Sequence, residues 1–337
     1  MKKTAAWLCL LLCLLMAGSA LAGTVTFGSI SAEQNADYID MGDQVVATNR
    51  LADFIAFLQE FPNLRKVDMF ATQVNRTVVQ KLEEALPGVQ FGWTLQLMKY
   101  KNRHIVRTDA KVFSTLHGKC PNHNDDDFLL LKYCTQLLAL DLGHNYVSDL
   151  SFLRNMPHLR VLILGENKTV KNIEVLGELK ELEYLELFTC SLTDITPLTK
   201  LPNLIDLNLS NNKVADWRPL KEMKQLKRLW ISGMCTGRRG KAELTAAERQ
   251  ELEEALPNTE IIYVGEPTQK GWRLIDDRKT DKPSNRVPHY AVIYEMFHTG
   301  TYIPFEESAP LPAEEDTSDL AFLITEDMED LDITAGE

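Results

Sequence analysis

Beyond its first 22 residues, the 337-residue chain has no long apolar run, and no later segment approaches the roughly 18 apolar residues that a membrane-spanning helix needs. It also lacks the motifs of several common chemistries: G-x-S-x-G, G-x-x-x-x-G-K-[ST], H-E-x-x-H and G-x-G-x-x-G are all absent. These absences argue against serine hydrolases, zinc hydrolases and nucleotide-binding enzymes. The sequence therefore predicts a protein that is not an enzyme, needs no cofactor and does not span a membrane.

Positive charge is absent from residues 306–337, which contain 12 acidic side chains and no Lys or Arg. The whole chain has 48 acidic and 36 basic residues, so the formal net charge of −12 arises in this tail and the remainder is balanced. A balanced body offers no basic stripe for phosphates, so nucleic acid is not an expected partner. The low apolar content of the tail predicts a disordered acidic segment.

The one long apolar run lies at the N-terminus. Lys2 and Lys3 precede an apolar stretch at residues 5–16, and Ala20-Leu21-Ala22 provides an A-x-A cleavage site. This arrangement is typical of a secretory signal peptide. We therefore predict a signal peptide at 1–22 and a mature protein that is secreted, extracellular or held at the cell surface.

A repeat occupies the middle of the chain. Between Leu137 and Met234 the pattern L-x-x-L-x-L-x-x-N recurs five times, with steps of 22, 23, 22 and 22 residues. Side chains alternate along a strand, so the fourth and sixth positions point inward, and one unit can bury them only against its neighbours. Asparagine at the ninth position should bond the backbone of adjacent turns; Cys190 is a weaker substitute and Met234 ends the regular array. The predicted fold class is α/β, a leucine-rich-repeat solenoid with a curved parallel sheet.

The second half of each unit carries a further pattern, seen as Leu192-Thr-Asp194-Ile195-Thr-Pro197-Leu198. In this respect the chain resembles the internalin-like short repeats of bacterial secreted leucine-rich-repeat proteins. The resemblance covers about residues 128–234, and more loosely 36–127 and 237–264. It implies an exported bacterial protein that binds a protein partner on the concave face of its sheet.

These patterns predict five segments. The signal peptide, 1–22, is followed by degenerate repeats at 23–127, with a hairpin around residues 101–103, and by the regular repeats at 128–236. Residues 237–305 hold a further repeat and an aromatic-rich cap over the open end of the solenoid, and 306–337 is the acidic tail. Capping boxes beginning at Thr77 and Thr245, with LEEALP at both 82–87 and 252–257, predict helices in the outer units.

The third, fifth and seventh positions of each repeat should face solvent on the concave side. They include aromatic and charged side chains on neighbouring turns, which is the composition of protein-binding hot spots. An alternative is that they pack against the cap or the tail. We expect a protein partner, with a glycan or self-association as the other classes, at Asp141, Ile163, Tyr184, Glu186, Phe188, Asp206, Asn208, Arg228 and Trp230.

Two other functions stay open. One is a non-catalytic envelope or spacer protein whose acidic tail makes the contact. The other is a metal-dependent enzyme that uses His117, Cys120 and His123, but three ligands within seven residues lack the paired spacing of a structural zinc site, so no metal site is predicted. Cys190 and Cys235 lie two turns apart, about 10 Å by strand spacing, which is too far for a disulfide and leaves Cys120 with Cys134 as the one pairing to consider.

Overall fold

The structure, a computed structural model, describes residues 23–99, 102–115, 123–235, 244–266, 268, 272–273 and 289–305. The predicted signal peptide and acidic tail lie outside these residues. Two compact units are present. Among the described residues, the first unit holds 23–96 together with 105–108, and the second holds 97–99, 102–104 and those from 109 onward.

The first unit contains six strands and two α-helices. An antiparallel pair, β1 (Thr24–Phe27) and β2 (Ile30–Glu33), is followed by a separate sheet in which the strand order matches the chain order. Its first three strands are parallel, and β6 lies beside β5, around the residues where a hairpin is predicted. The elements are β3 (Tyr38–Asp40), α1 (Leu51–Gln59), β4 (Lys66–Val74), α2 (Arg76–Ala85), β5 (Gln90–Lys99) and β6 (Asn102–Arg107).

The second unit contains a seven-stranded parallel sheet, again in chain order. The strands are β7 (Val112–Ser114), β8 (Ala139–Asp141), β9 (Val161–Ile163), β10 (Tyr184–Glu186), β11 (Asp206–Asn208), β12 (Arg228–Trp230) and β13 (Glu260–Ile262). Most connections are single 3-10 turns: Leu129–Tyr133, Ser151–Asn155, Glu174–Glu178, Thr196–Lys200 and Arg218–Glu222. The described α-helices are α3 (Asp125–Phe128), α4 (Ala246–Ala255) and α5 (His289–Thr299). This architecture confirms the leucine-rich-repeat solenoid.

One leucine at the centre of each of the five strands from β8 to β12 explains why the units stack. Leu140 pairs in register with Leu162, Leu162 with Leu185, and the line continues through Leu207 to Leu229. All five side chains are fully buried. Burying a leucine contributes roughly 2 kcal/mol, and no unit could bury its own without a neighbour.

The ninth position forms the predicted ladder of side chain to backbone hydrogen bonds. The Nδ2 group of Asn167 donates to the carbonyls of Leu142 and Leu164, at 2.7 and 2.8 Å, and its Oδ1 accepts from the N–H of Val147 at 3.1 Å. In the third repeat the thiol of Cys190 donates to the Leu164 carbonyl at 3.2 Å. These bonds satisfy polar backbone groups that are buried between turns.

Helix ends test the capping predictions. The box at Thr245 is confirmed, since Glu248 N–H donates to Thr245 Oγ1 at 3.2 Å and Thr245 N–H donates to the Glu248 carboxylate at 2.8 Å. The box at Thr77 is wrong: α2 is capped by Asn75, whose Oδ1 accepts from Val78 N–H at 3.1 Å. Asn75 and not Thr77 is the cap residue because Asn75 follows β4 in an extended conformation, which an N-cap residue requires.

The eighth position of every regular repeat turns the chain with a left-handed backbone. His144, Glu166, Thr189 and Asn211 all have φ between 54° and 63°, and the equivalent residue of the last repeat is Gly233. Side chains with a Cβ pay roughly 1–2 kcal/mol for this conformation. A tight turn after each strand is therefore imposed by the repeat, whatever residue the sequence supplies.

Thr189 is the poorest match to that turn, because threonine is β-branched and its Oγ1 is buried without a hydrogen-bond partner. We expect Thr189→Gly to raise the free energy of unfolding by about 0.5–1 kcal/mol, since glycine removes the backbone cost and the orphaned hydroxyl. Urea denaturation measures the change. The same substitution at exposed Thr193, which lacks the left-handed backbone, should be destabilising; equal effects at both sites would contradict the assignment.

Candidate binding face

The concave strand positions are covered by the C-terminal part of the same unit. We name the strand side chains that point away from the leucine core the inner face, and we name Trp272, Arg273 and residues 289–305 the cover segment. All nine residues predicted to bind are at most 6% exposed: Asp141, Ile163, Tyr184, Glu186, Phe188, Asp206, Asn208, Arg228 and Trp230. The expectation that they face solvent is therefore wrong, and the alternative, that they pack against the C-terminal cap, agrees with their burial.

Apolar packing forms one part of this contact. The α5 residues Ile293 and Met296 are fully buried against Val112, Ala139 and Val161 on the first three strands of the sheet. After α5 the chain turns at Gly300, and three further side chains join the same cluster: Tyr302, Ile303 and Phe305. The cover segment thus lies on strand positions that are themselves apolar, as a hydrophobic contact requires.

Trp272 occupies a pocket of aromatic rings on the inner face. Its ring centroid lies 5.5 Å from that of Tyr184 and 5.9 Å from that of Trp230, the latter edge to face. The indole N–H is 2.6 Å from Tyr184 Oη and 3.0 Å from Glu186 Oε1. The Arg228 guanidinium stacks 3.7 Å from the indole centroid and donates to the Trp272 carbonyl at 3.1 Å. The pocket therefore binds both the ring and the main chain of this residue.

Arg273 pairs with Glu186 in a bidentate geometry. Its Nε lies 3.0 Å from Oε1, and its Nη2 lies 2.5 Å from Oε2. Both side chains are buried, and the guanidinium also approaches the rings of Phe188 and Tyr290, at 5.6 and 4.8 Å. The planar fork of arginine matches a carboxylate in this way, whereas the ammonium of lysine cannot.

Asp206 is the second carboxylate with a partner on the cover segment. Its Oδ2 lies 2.5 Å from Nδ1 of His289, the first residue of α5, and 3.3 Å from Nη2 of Arg228. The His289 ring packs 4.7 Å from the Phe305 ring. One sheet carboxylate thus holds a cation from the sheet and an imidazole from the cover segment.

Asp141, on β8, is a third buried carboxylate of the inner face. Its oxygens accept from Gly143 N–H at 2.9 Å and from Ser114 Oγ at 3.3 Å. Burial raises the pKa of this carboxyl from 3.8 to about 6, although the charge of Arg273 acts in the opposite direction. A raised pKa in the folded state means that the charged form is disfavoured there.

We expect this carboxyl to give a measurable pH dependence. Because its pKa is higher in the folded state, its stabilising contribution is complete below about pH 4 and is lost as the pH rises through about 6. Asp141→Asn keeps an acceptor for Gly143 and should gain about 2 kcal/mol over the wild type between pH 4 and pH 7. Denaturation of both proteins across this range tests it; a difference that does not vary with pH would contradict the assignment.

The sequence motif around His123 is only partly described, because His117 and Cys120 lie outside the described residues. His123 is buried, with Nε2 at 2.8 Å from Nδ1 of His104 and Nδ1 at 3.4 Å from the Asp127 carboxylate. Among the residues that the structure describes, no group of three or more His, Cys, Asp or Glu side chains is placed to hold a metal ion. The histidine contact that sequence reasoning missed is the one with His104.

Two of the three described cysteines pack in the core. Cys134 and Cys190 are both free and buried, and burial raises the pKa of the Cys134 thiol to about 12. A buried thiol with a raised pKa is a poor nucleophile.

Over the same described ranges, no helix has the length and apolar character to cross a bilayer.

Parallel strands in register, 3-10 connections and an asparagine ladder define a leucine-rich-repeat protein. The comparison with protein families agrees: the family described as leucine-rich repeats (2 copies) matches residues 180–222. A curated relative, a Roc-COR-CHAT protease from an unknown prokaryotic organism, is 29% identical over 89 residues. That match covers 26% of this chain and spans only 8% of the relative.

The solved structures that match this chain include two internalins from Listeria monocytogenes. Internalin C2 is 21% identical, with 46% of this chain and 74% of that chain covered and a TM-score of 0.35. A second internalin, inlF, is 16% identical, with 70% and 64% covered and a TM-score of 0.37. The Arabidopsis receptor kinase HAESA, in complex with the peptide hormone IDA and the co-receptor SERK1, is 19% identical, with 58% and 32% covered and a TM-score of 0.30.

Proposed function

We propose that this chain is an exported, non-catalytic leucine-rich-repeat protein that binds a protein partner on its inner face once the cover segment has left it. In this proposal the cover segment is an intramolecular ligand. The observation that carries the proposal is the chemistry of the contact, in which Glu186 and Asp206 on the sheet meet Arg273 and His289 on the cover segment. The N-terminal sequence pattern supports export.

Buried charges favour a contact that opens. Removing ions from water costs several kcal/mol each, and apolar residues of similar volume often stabilise a permanent contact as well or better. When the cover segment leaves, by contrast, the same charges regain hydration, which lowers the cost of opening. Contacts between parts of a chain that move relative to one another are similarly polar. A partner would then bind in proportion to the open fraction.

Two variants test this proposal. Both weaken the contact between the cover segment and the inner face, but only one leaves the residues of the inner face unchanged. Arg273→Ala removes a cover residue and leaves the inner face intact. The triple change Tyr184→Ala, Phe188→Ala and Trp230→Ala removes the face as well. Capture of proteins from the native surroundings, read by mass spectrometry, should rise severalfold with the first variant and not with the triple change.

The exposed ion pair between Arg154 and Glu178 supplies the control. Arg154→Ala should leave capture unchanged, since both side chains of this pair are exposed and neither belongs to the inner face or to the cover segment. Equal capture by wild type and Arg273→Ala would count against a gated inner face. Equal gains by Arg273→Ala and the triple change would place the partner elsewhere on the protein.

Burial of the inner face also favours the second candidate, a spacer protein whose acidic tail makes the contact. While the cover segment lies on the inner face, none of the nine residues predicted to bind is accessible to a partner. Deleting residues 306–337 separates the two functions. Loss of capture on deletion supports the spacer function, and retained capture that depends on Arg273→Ala supports the gated face.

A further inference from the structure

We infer that the inner face recognises an aromatic residue followed directly by arginine, as presented by a segment of another protein. This inference rests on the proposed function and gives the partner its chemistry. The cover residues Trp272 and Arg273 serve as the template for this partner sequence, since they occupy adjacent pockets of the inner face and both side chains are buried there. A partner that replaces them has to satisfy the same groups.

The first pocket selects a large aromatic residue with a donor at its edge. Tyr184 and Trp230 enclose the ring, and Arg228 lies against its face. Tyr184 Oη and Glu186 Oε1 both lie within hydrogen-bonding distance of the indole N–H. A residue without this donor would leave the buried Tyr184 oxygen without the hydrogen bond that it accepts, which costs about 1–3 kcal/mol, whereas Glu186 Oε1 would keep the bond from Arg273.

Contact with the main chain fixes the position of the aromatic residue. The Arg228 guanidinium donates to the carbonyl of Trp272 at 3.1 Å, and this contact does not depend on the side chain. Arg228 also reaches Asp206 at 3.3 Å, which holds its fork in place. The inner face therefore binds a peptide carbonyl as well as an aromatic ring. This combination is expected of a site that binds a protein segment and not of a site for an isolated aromatic molecule.

The second pocket selects arginine over lysine. Glu186 receives both Nε and Nη2 of Arg273, and the ring of Phe188 lies 5.6 Å from the guanidinium carbon. A lysine ammonium can make one of these two parallel bonds at a time. The adjacent positions of the pockets explain why the two residues must follow each other in the partner.

Charge on the uncovered face favours the same partner. Without the cover segment, the inner face retains four carboxylates, those of Asp141, Glu186, Asp206 and Glu260, against one guanidinium, that of Arg228. Arg273 and His289, which face Glu186 and Asp206 when the inner face is covered, belong to the cover segment. A cationic segment is therefore attracted and an acidic one is repelled.

The test uses the full chain with Trp272→Ala and Arg273→Ala together, which vacates both pockets and leaves their walls intact. The probe is a fluorescently labelled synthetic peptide with the sequence of residues 266–275, EPTQKGWRLI. We expect saturable binding to the vacated variant, measured by fluorescence anisotropy, and at least tenfold weaker binding to the wild type, whose own residues fill the pockets.

Three matched peptides and one further variant define the chemistry. Replacing the peptide's arginine by lysine, its tryptophan by alanine, or exchanging the order of the two should each weaken binding at least tenfold. Glu186→Gln in the vacated variant should do the same for the original peptide. Equal binding of all four peptides, or no binding to a vacated variant that retains a cooperative melt, overturns the inference.

The wild type provides a measurement that does not depend on a variant folding correctly. Excess peptide should increase hydrogen exchange within residues 289–305, and the lysine peptide should not; no change with either peptide counts against the inference. A mixed dimer of vacated variant and wild type, seen by light scattering, would assign the segment to a second copy of this chain and would overturn a foreign partner.

Failure of the inference and failure of the proposed function give different results. If Arg273→Ala gains capture that the peptide does not compete, the gated face stands and the aromatic–arginine chemistry is overturned. If the peptide binds the vacated variant but no variant gains capture, the pockets stand and the proposed function is wrong.

Discussion

Replacing Glu186 with alanine is expected to lower the free energy of unfolding by about 3–5 kcal/mol, because the buried guanidinium of Arg273 would lose its counter-ion. The same change removes an acceptor of the Trp272 indole N–H, so the loss falls on the contact with the cover segment. Urea denaturation gives the free energy. Hydrogen exchange at residues 289–305 shows whether the cover segment leaves before the sheet unfolds.

Two comparisons isolate the buried pair. Glu178→Ala breaks an exposed pair with Arg154 and should cost less than about 1 kcal/mol. Glu186→Ala combined with Arg273→Ala should cost less than the sum of the single changes, because no uncompensated charge then remains buried. Additive effects, or a loss at Glu186 no larger than that at Glu178, would mean that the pair does not hold the cover segment.

Asn212→Ala should produce the second large effect, about 3 kcal/mol of destabilisation. Its Oδ1 accepts from the N–H groups of Cys190 and Leu192, both at 3.1 Å, and its Nδ2 donates to the carbonyls of Leu187 and Leu209, both at 2.8 Å. Alanine would leave these backbone groups buried without partners. Chemical denaturation measures the loss.

Asn203 offers a matched control, since its Nδ2 also donates to a backbone carbonyl, that of Lys180, but from an exposed position. There water can replace the lost bond, so Asn203→Ala should stay within about 0.5 kcal/mol of the wild type. Equal losses at Asn203 and Asn212 would show that burial of the ladder does not determine its contribution.

The repeat could be predicted because its signal is local and periodic. Leu140, Leu162 and Asn167 recur at a fixed spacing, and each needs only its neighbours in adjacent turns to take its place. The cap of α2 was missed for a local reason as well: Asn75 and Thr77 are both good cap residues, and the end of β4 decides between them. Sequence alone does not give that end.

The cover segment could not be placed in the same way. Its contacts with Tyr184 and Glu186 join residues 86–88 positions apart, and Trp272 and Arg273 belong to no repeat. Periodicity carries no information about such a pairing. The signal available was indirect: aromatic and charged side chains stand on strands that need neither, and an aromatic-rich segment without a repeat follows. That combination favours a covered face over an open one.

Arrays of stacked repeats ordinarily melt piecemeal, since each repeat contacts only its immediate neighbours. Here one hydrophobic cluster contains Val112 on β7 and Trp230 on β12 together with Trp272, Ile293 and Met296 of the cover segment. Unfolding of strands that are not neighbours in the sheet is thereby coupled. The terminal repeats cannot unfold without disrupting the packing of the central repeats. Detaching the cover segment would therefore convert one sharp thermal unfolding transition into a broad, stepwise one.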